Sequence, residues 1–117
     1  MKKIYHLASC STCQRIIKEI NPGSEIVLQD IKSEAISEQE LDEMAKMAGS
    51  YEALFSRRAM KYRSLGLNER ELSEDEYRKW ILEEYTFLKR PVIISENQIF
   101  IGNSKKIVKA ASEHLGK

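Results

Sequence analysis

The chain is poor in the residues that mark disulfide-rich, disordered or membrane proteins. Its 117 residues include only two cysteines, two prolines and five glycines, and no long apolar run. One pair of cysteines is too few for a disulfide framework, so stability must come from a hydrophobic core, which this length allows. Without a long apolar run we expect neither a secretory signal nor a membrane span. We therefore predict one cytoplasmic domain over residues 1–117, with no membrane partner.

Charge of either sign is also not in excess. Nineteen Lys and Arg residues stand against eighteen Asp and Glu, which leaves a net charge of +1. This balance gives no general attraction to nucleic acid, and we expect no direct binding of it. Thiols stay reduced in the cytoplasm, so two closely spaced cysteines there indicate catalytic or redox chemistry before a structural role.

The sequence is organised around Cys10-Ser11-Thr12-Cys13. This stretch lies between a strand-like run, residues 4–7, and a helical stripe formed by Cys13, Ile16, Ile17 and Ile20. Cys10 is thus placed in the turn before the first helix and Cys13 in its first turn. Free N–H groups and the helix dipole stabilise an anion there, which lowers the pKa of a cysteine. We predict Cys10 as a nucleophilic thiolate and Cys13 as close enough to form a disulfide with it.

Two other interpretations of the cysteines stay open. Free cysteines are often small buried hydrophobic residues with no chemical role. Half of a zinc site is disfavoured, because zinc takes four ligands and only His6 and His114 could add to the two thiols. No metal site is predicted.

Hydrophobic periodicity and turn residues predict four strands and five helices. The strands are predicted at 4–7, 25–29, 89–94 and 99–101, and the helices begin at Cys13, Ser37, residue 50 or 51, Ser73 and Ser104. The stretch from 50 to about 67 is read as one helix with Met60 on its apolar face and Arg57 and Arg58 between the apolar positions. The order β-α-β-α-α-α-β-β-α predicts an α/β protein with a mixed four-stranded sheet and flanking helices.

A strand–helix–strand opening with Cys-X-X-Cys before the helix is typical of thioredoxin-like redox proteins. Three helices inserted at about 37–88, between a βαβ half and a ββα half, narrow the choice of family among the thioredoxin-like proteins. The chain resembles the ArsC/Spx family of arsenate reductase-like proteins through Ile4-Tyr5-His6 before Cys10, Phe55-Ser56-Arg57-Arg58, Leu65-Gly66-Leu67 and Arg90-Pro91-Val92-Ile93-Ile94. The resemblance implies a thioredoxin-like fold in which Pro91 is a cis proline facing the cysteines.

The resemblance to arsenate reductases also implies a chemistry. The residue matching Cys10 attacks arsenate, and three arginines hold the oxyanion; Arg90 matches one of these and Arg57 a second. The third belongs on the last strand, where residues 99–103 contain no arginine. Cys13 stands where those enzymes usually have serine, and Gln14 where they often have arginine, which favours dithiol chemistry. No cofactor is implied beyond an external thiol reductant, glutathione with glutaredoxin or thioredoxin.

The Cys-X-X-Cys motif and the glycine after the final strand resemble the Spx side of the family. There the motif is a redox switch, and the protein binds the α subunit of RNA polymerase. We predict a thiol-dependent oxidoreductase acting on a small oxyanion or a disulfide, with an Spx-like redox-sensing transcription regulator as the alternative. A third alternative is a relative that kept the fold and lost both activities.

The remaining site predictions concern residues near the cysteines. Ser11 and Thr12 are predicted as turn and cap residues and are assigned, with Arg57, to substrate binding. His6 is predicted to be a hydrogen-bonded structural histidine that orients the loop. Arg90 is assigned to anion binding or thiolate stabilisation, against the alternative of a solvated arginine at a strand entrance.

Overall fold

The computed structural model describes residues 2–115. Over this range the elements follow the predicted order: β1 (Lys2–His6), α1 (Ser11–Ile20), β2 (Val27–Asp30), α2 (Glu38–Ala48), α3 (Met60–Ser64), α4 (Glu74–Glu83), β3 (Val92–Ser95), β4 (Gln98–Ile101) and α5 (Lys105–His114). The chain divides into two compact units, the second formed by Ile36–Lys89 and the first by the segments before and after it. Of the helices described, none is long and apolar enough to cross a membrane.

The first unit contains a mixed sheet with strand order β2-β1-β3-β4. Strand β1 runs parallel to β2 and antiparallel to β3, while β3 and β4 form the predicted hairpin. Tyr5 lies opposite Gln29 on one side and Val92 on the other. The carboxyl end of β1, which leads to the cysteines, therefore lies beside the end of β2 and the start of β3.

Helices α1 and α5 supply the apolar side chains that cover one face of this sheet. Ile16 and Ile20 of α1 and Val108 and Ala111 of α5 form one buried cluster with two sheet residues, Ile4 and Ile93. The i, i+3, i+4 spacing of both helices places these residues on a single stripe. The apolar stripe predicted for the first helix is confirmed, since Cys13, Ile16 and Ile20 are buried.

In the second unit, two capping boxes begin the longer helices. Ser37 and Ser73 each accept a backbone N–H from the residue three positions on, whose glutamate side chain bonds back to the serine N–H. Helix α2 ends at Gly49, where φ is 99°. Arg78 of α4 then joins the two helices, because its Nε lies 2.8 Å from Oδ1 of Asp42. Both predicted helix starts, and the stop at Gly49, are confirmed.

The single helix predicted from residue 50 to 67 is wrong. The chain forms a 3₁₀ turn at Glu52–Leu54, then extends so that Phe55 pairs with Leu88. Leu54 ends the 3₁₀ turn and Phe55 has an extended backbone, and both residues are fully buried. Helix α3 is only five residues long and buries none of them, so Met60, predicted to face inward, is 89% exposed.

Helix α4 ends at Glu83, and Tyr85–Phe87 forms a 3₁₀ turn, so the apolar residues that follow Ile81 do not lie on the same helix. Phe87 is nevertheless buried and stacks on Phe55 with ring centroids 4.9 Å apart. The packing of this aromatic pair keeps the segment inward after the helix has ended.

Candidate functional site

Cys10 lies at the junction between β1 and α1 and is itself the N-cap residue of the helix. Its N–H donates to the carbonyl of Leu7 at 2.9 Å, and its carbonyl accepts the N–H of Gln14 at 3.1 Å. Cys13 occupies the first turn and is buried. Both cysteines are free thiols, in the positions predicted for them.

The predicted capping role of Ser11 and Thr12 is wrong. Helix α1 begins at Ser11, and no side chain forms a cap hydrogen bond at Cys10. Both residues already have helical geometry, so their hydroxyls are past the N-cap position. Thr12 instead contributes its backbone N–H, which faces the Cys10 sulfur.

The surroundings of Cys10 favour its thiolate. Burial acts to raise the pKa of Cys10, but the backbone N–H and the thiol of Cys13 lower it, as do the N–H of Thr12 and the charge of Arg90. Together these contributions exceed the effect of burial, so the pKa of Cys10 lies below its ordinary value. Hydrogen bonds to the charged form and an adjacent cation are the physical causes.

Cys13 is affected in the opposite direction. Burial first, and then the hydrogen bond and the charge of the neighbouring Cys10, raise the pKa of Cys13 to about 11. The N–H of Leu7 and the charge of Arg90 oppose this rise. Cys13 therefore holds its proton more tightly than Cys10 does, and it donates this proton in the hydrogen bond to the Cys10 sulfur.

Arg90 comes to the cysteines through the antiparallel pairing of β1 with β3. It lies just before β3, and its charge lowers the pKa of both cysteines. The Arg90–Pro91 peptide bond is cis, as the family resemblance implies. The carbonyl of Pro91 accepts the N–H of Gly102 at 3.0 Å, which ties this turn to the end of β4.

The loop before Cys10 is held from two sides. From α1, Nε2 of Gln14 lies 3.2 Å from both the Leu7 carbonyl and Nδ1 of His6. From β2, Oδ1 of Asp30 accepts the N–H of Ala8 at 3.2 Å. His6 is buried, with 8% of its surface exposed, and is hydrogen-bonded as predicted.

The sequence interpretation missed Asp30 as a site residue. Its carboxylate accepts from Ala8, Lys32 and Ser33, and these bonds, the Ala8 bond foremost, lower its pKa. A signal was present, because Asp30 ends a strand parallel to β1 and the carboxyl ends of parallel strands meet at one edge of a sheet.

Arg57 belongs to the second unit and lies in a turn, not in the helix predicted for it. Its guanidinium donates to Glu52 at 2.8 Å and to the hydroxyl of Tyr77 at 2.9 Å. The Glu52 bond is the main cause that raises its pKa. Substrate binding by Arg57 stays a prediction.

A model of the ArsC family matches residues 5–111. The chain belongs to the ArsC family. The predicted resemblance is thus confirmed, and the family covers the cysteines, Arg90 and the whole helical segment between them.

Relatives of this ArsC family chain include both kinds of protein that the sequence suggested. The global transcriptional regulator Spx 2 of Bacillus anthracis is 28% identical over 113 residues, covering 93% of this chain and 86% of the relative. The arsenate reductase of Vibrio cholerae is 21% identical with a TM-score of 0.78, covering 93% and 95% of the two chains. An arsenate reductase related protein from Brucella melitensis is 22% identical with a TM-score of 0.72, covering 93% and 92%.

The structural similarities establish the fold. This ArsC family chain has the predicted thioredoxin-like α/β fold, with a four-stranded mixed sheet and flanking helices. Within residues 2–115, no group of three or more His, Cys, Asp or Glu side chains is placed to hold a metal ion.

Proposed function

We propose that this chain is a thiol-dependent oxidoreductase in which Cys10 is the nucleophile and Cys13 the resolving thiol. The observation that carries this proposal is the opposite displacement of the two pKa values, lowered for Cys10 and raised to about 11 for Cys13. A thiolate attacks and a thiol does not, so the pair has a defined order of reaction. A pair of inert buried cysteines would have no such division of roles.

The first step differs between the two candidate substrates. With arsenate, the Cys10 thiolate forms a sulfur–arsenic bond and displaces hydroxide, which takes a proton from solvent and leaves as water. With a disulfide, the thiolate attacks one sulfur, and the other leaves as a thiolate through a mixed disulfide. In both cases the Cys10 sulfur becomes covalently bonded to the substrate and loses its negative charge.

The second step closes the Cys10–Cys13 disulfide. Cys13 gives its proton to solvent and attacks the Cys10 sulfur, and the bond from Cys10 to the substrate breaks. From the arsenic adduct the electron pair stays on arsenic, so As(V) becomes As(III) while the two thiols are oxidised. From a mixed disulfide, the second thiolate leaves. Glutathione with glutaredoxin, or thioredoxin, then returns two electrons to the disulfide, as a reducing cytoplasm allows.

Arginine and helix-start groups have supporting roles in this proposal. Arg90, whose charge acts on both sulfurs, offsets the negative charge of an approaching oxyanion. Ser11 and Thr12 at the start of α1 present backbone N–H groups to the same anion. Arg57 is kept as a second anion ligand, and its existing bonds to Glu52 and Tyr77 would have to be exchanged for substrate.

Steady-state turnover tests the proposal. We expect the purified chain to oxidise NADPH through a thioredoxin or glutaredoxin system when arsenate or a small disulfide is added, and Cys10→Ser to lose all of this turnover. The control is Lys18→Met on the exposed side of α1, which should keep it. Absence of turnover with every combination of reductant and substrate would reject the enzyme.

An Spx-like redox-sensing regulator is the second candidate. It is supported by the Cys-X-X-Cys pair together with the similarity to a global transcriptional regulator of the family. In this case the Cys10–Cys13 disulfide would change a docking surface for the RNA polymerase α subunit instead of turning over substrate. Binding of the purified α C-terminal domain to the reduced and oxidised chain distinguishes the two: a regulator binds in one redox state, and an enzyme alone binds in neither.

A further inference from the structure

The side chain of Gln14 reaches back from α1 to the loop before Cys10. It lies one turn after Cys10 on the exposed side of the helix. Its Nε2 is nevertheless 3.2 Å from the Leu7 carbonyl and 3.2 Å from Nδ1 of His6. The exposed Gln14 amide thus holds the loop in place through two hydrogen-bond partners.

These contacts fix the direction of every hydrogen bond involved. A carbonyl oxygen can only accept, so the group facing Leu7 must be the amide NH₂ and not the amide oxygen. That nitrogen has two hydrogens, one for Leu7 and one for His6. Nδ1 of His6 is therefore an acceptor, and the neutral ring carries its hydrogen on Nε2.

Leu7, whose carbonyl accepts from Gln14, also contacts both cysteines. The Leu7 carbonyl that accepts from Gln14 also accepts the N–H of Cys10 at 2.9 Å. The N–H of the same Leu7 faces the Cys13 sulfur and favours its anion. Leu7 is thus the residue through which Gln14 can act on the cysteine pair without touching it.

The other side of the loop is held independently. The His6 carbonyl accepts the N–H of Ile31 at 2.9 Å, and Asp30 accepts from Ala8. With the β2 side fixed in this way, Gln14 supplies the constraint from α1. Replacing Gln14 would leave the Leu7 carbonyl with the Cys10 N–H as its donor and would remove the donor to Nδ1 of His6.

We infer that Gln14 is a positioning residue for closure of the Cys10–Cys13 disulfide, acting through Leu7 and selecting one tautomer of His6. The inference rests on the proposed function, in which Cys13 attacks the Cys10 sulfur after that sulfur has bonded to the substrate. Before that attack Cys13 loses its proton to solvent, and the Leu7 N–H must already point at the sulfur to stabilise the thiolate that attacks. Gln14 keeps it there before the attack begins.

The two chemical steps can be measured separately with an aromatic disulfide that releases a coloured thiolate. Attack by the Cys10 thiolate forms a mixed disulfide and releases the first aromatic thiolate. Attack by Cys13, with its proton lost to solvent, breaks that mixed disulfide and releases the second. The first phase reports Cys10, and the second reports closure.

The test compares Gln14→Met and Gln14→Glu with Lys18→Met under stopped-flow mixing. Met keeps the length of the side chain without a donor, and Glu replaces the NH₂ by an oxygen that repels the Leu7 carbonyl. We expect both Gln14 variants to slow the second phase by about threefold to tenfold, as loss of a hydrogen bond would. The first phase should change less, and Lys18→Met should change neither phase.

A spectroscopic readout separates positioning from a merely structural role. In the unaltered chain the ring nitrogens of His6 should give the NMR shifts of a single Nε2–H tautomer, and in Gln14→Met those of a tautomer mixture. An unchanged second phase, or an unchanged tautomer, would overturn the inference. Absence of the first phase from the unaltered chain would instead reject the proposed function itself.

Discussion

The Cys13 thiol donates a hydrogen bond to the Cys10 sulfur, and this contact lowers the pKa of Cys10 while it raises that of Cys13. The proton of this contact stays with Cys13, the more buried of the two residues. In the proposed reaction the Cys10 sulfur attacks substrate first, and Cys13 keeps its proton until that bond has formed. This order follows from burial at the first turn of one helix.

The first prediction concerns the proton that Cys13 holds. Cys13→Ala removes the donor and should raise the pKa of Cys10, whereas Cys13→Ser keeps a hydroxyl donor and should raise it less. The pH dependence of Cys10 alkylation by iodoacetamide measures both. If the pH midpoint of Cys10 alkylation is the same in the Ala and Ser variants, the thiol proton of Cys13 does not contribute to the lowered pKa of Cys10.

The second prediction concerns Arg90. Its charge lowers the pKa of both cysteines, so Arg90→Gln should raise the pKa of each and slow alkylation of Cys10 at neutral pH. Arg90→Lys keeps the charge and should retain most of the effect on the pKa, but it should bind an oxyanion more weakly because it lacks the planar fork.

Salt provides the check on this second prediction. The Arg90 contribution is electrostatic and Arg90 is partly exposed, so added salt should reduce the difference between the unaltered chain and Arg90→Gln. A difference that does not depend on salt would point to a change in packing instead.

The third prediction is a pH dependence of stability from Asp30. Its folded pKa is lowered from 3.8, chiefly by the Ala8 N–H, so the stabilisation is present above the unfolded pKa and is lost as pH falls through the folded pKa. Asp30→Asn keeps an acceptor for Ala8 but does not titrate. It should therefore lose less stability than the unaltered chain between neutral pH and about pH 3.

Urea unfolding at both pH values measures this. Asp42, Glu76 and Glu84 also have lowered pKa values and act in the same direction, so only the difference between the two chains isolates Asp30. Equal losses in the two chains would contradict the prediction.

The fourth prediction concerns the capping boxes of the second unit. Ser73→Ala should cost about 1 kcal/mol in the free energy of unfolding, because the Glu76 N–H loses its acceptor at the start of α4. Ser73→Asp, which retains an acceptor and adds charge at the positive end of the helix, should lose less. Thermal unfolding followed by circular dichroism compares the three chains, and an Ala variant as stable as the Asp variant would contradict the assignment.

The parts of this protein that the sequence predicted well are those fixed by near neighbours. The capping boxes at Ser37 and Ser73 involve residues three positions apart, and the hairpin depends on a turn between adjacent strands. Cys10 and Cys13 were placed correctly at the helix start for the same reason, because the apolar stripe of α1 marks where the helix begins.

The errors arose where distant segments compete with local preference. The stretch from residue 50 to 67 has a helical pattern of apolar residues, but pairing of Phe55 with Leu88 and burial of both Leu54 and Phe55 hold it extended there. Met60 was then assigned to a helix face that does not form. Packing energies between distant segments exceed the small differences in helix propensity, so no local pattern could reveal this.

The sequence by itself determined the element order, the family resemblance and the position of the two cysteines at a helix start, because these depend on residue types and short spacings. Only the tertiary structure decided which charges surround the thiols. Arg90 arrives through antiparallel pairing of β1 with β3, and Asp30 comes to the Ala8 N–H through parallel pairing of β1 with β2. The pKa values of Cys10 and Cys13 depend on Arg90 and on burial, which arise only when the strands meet.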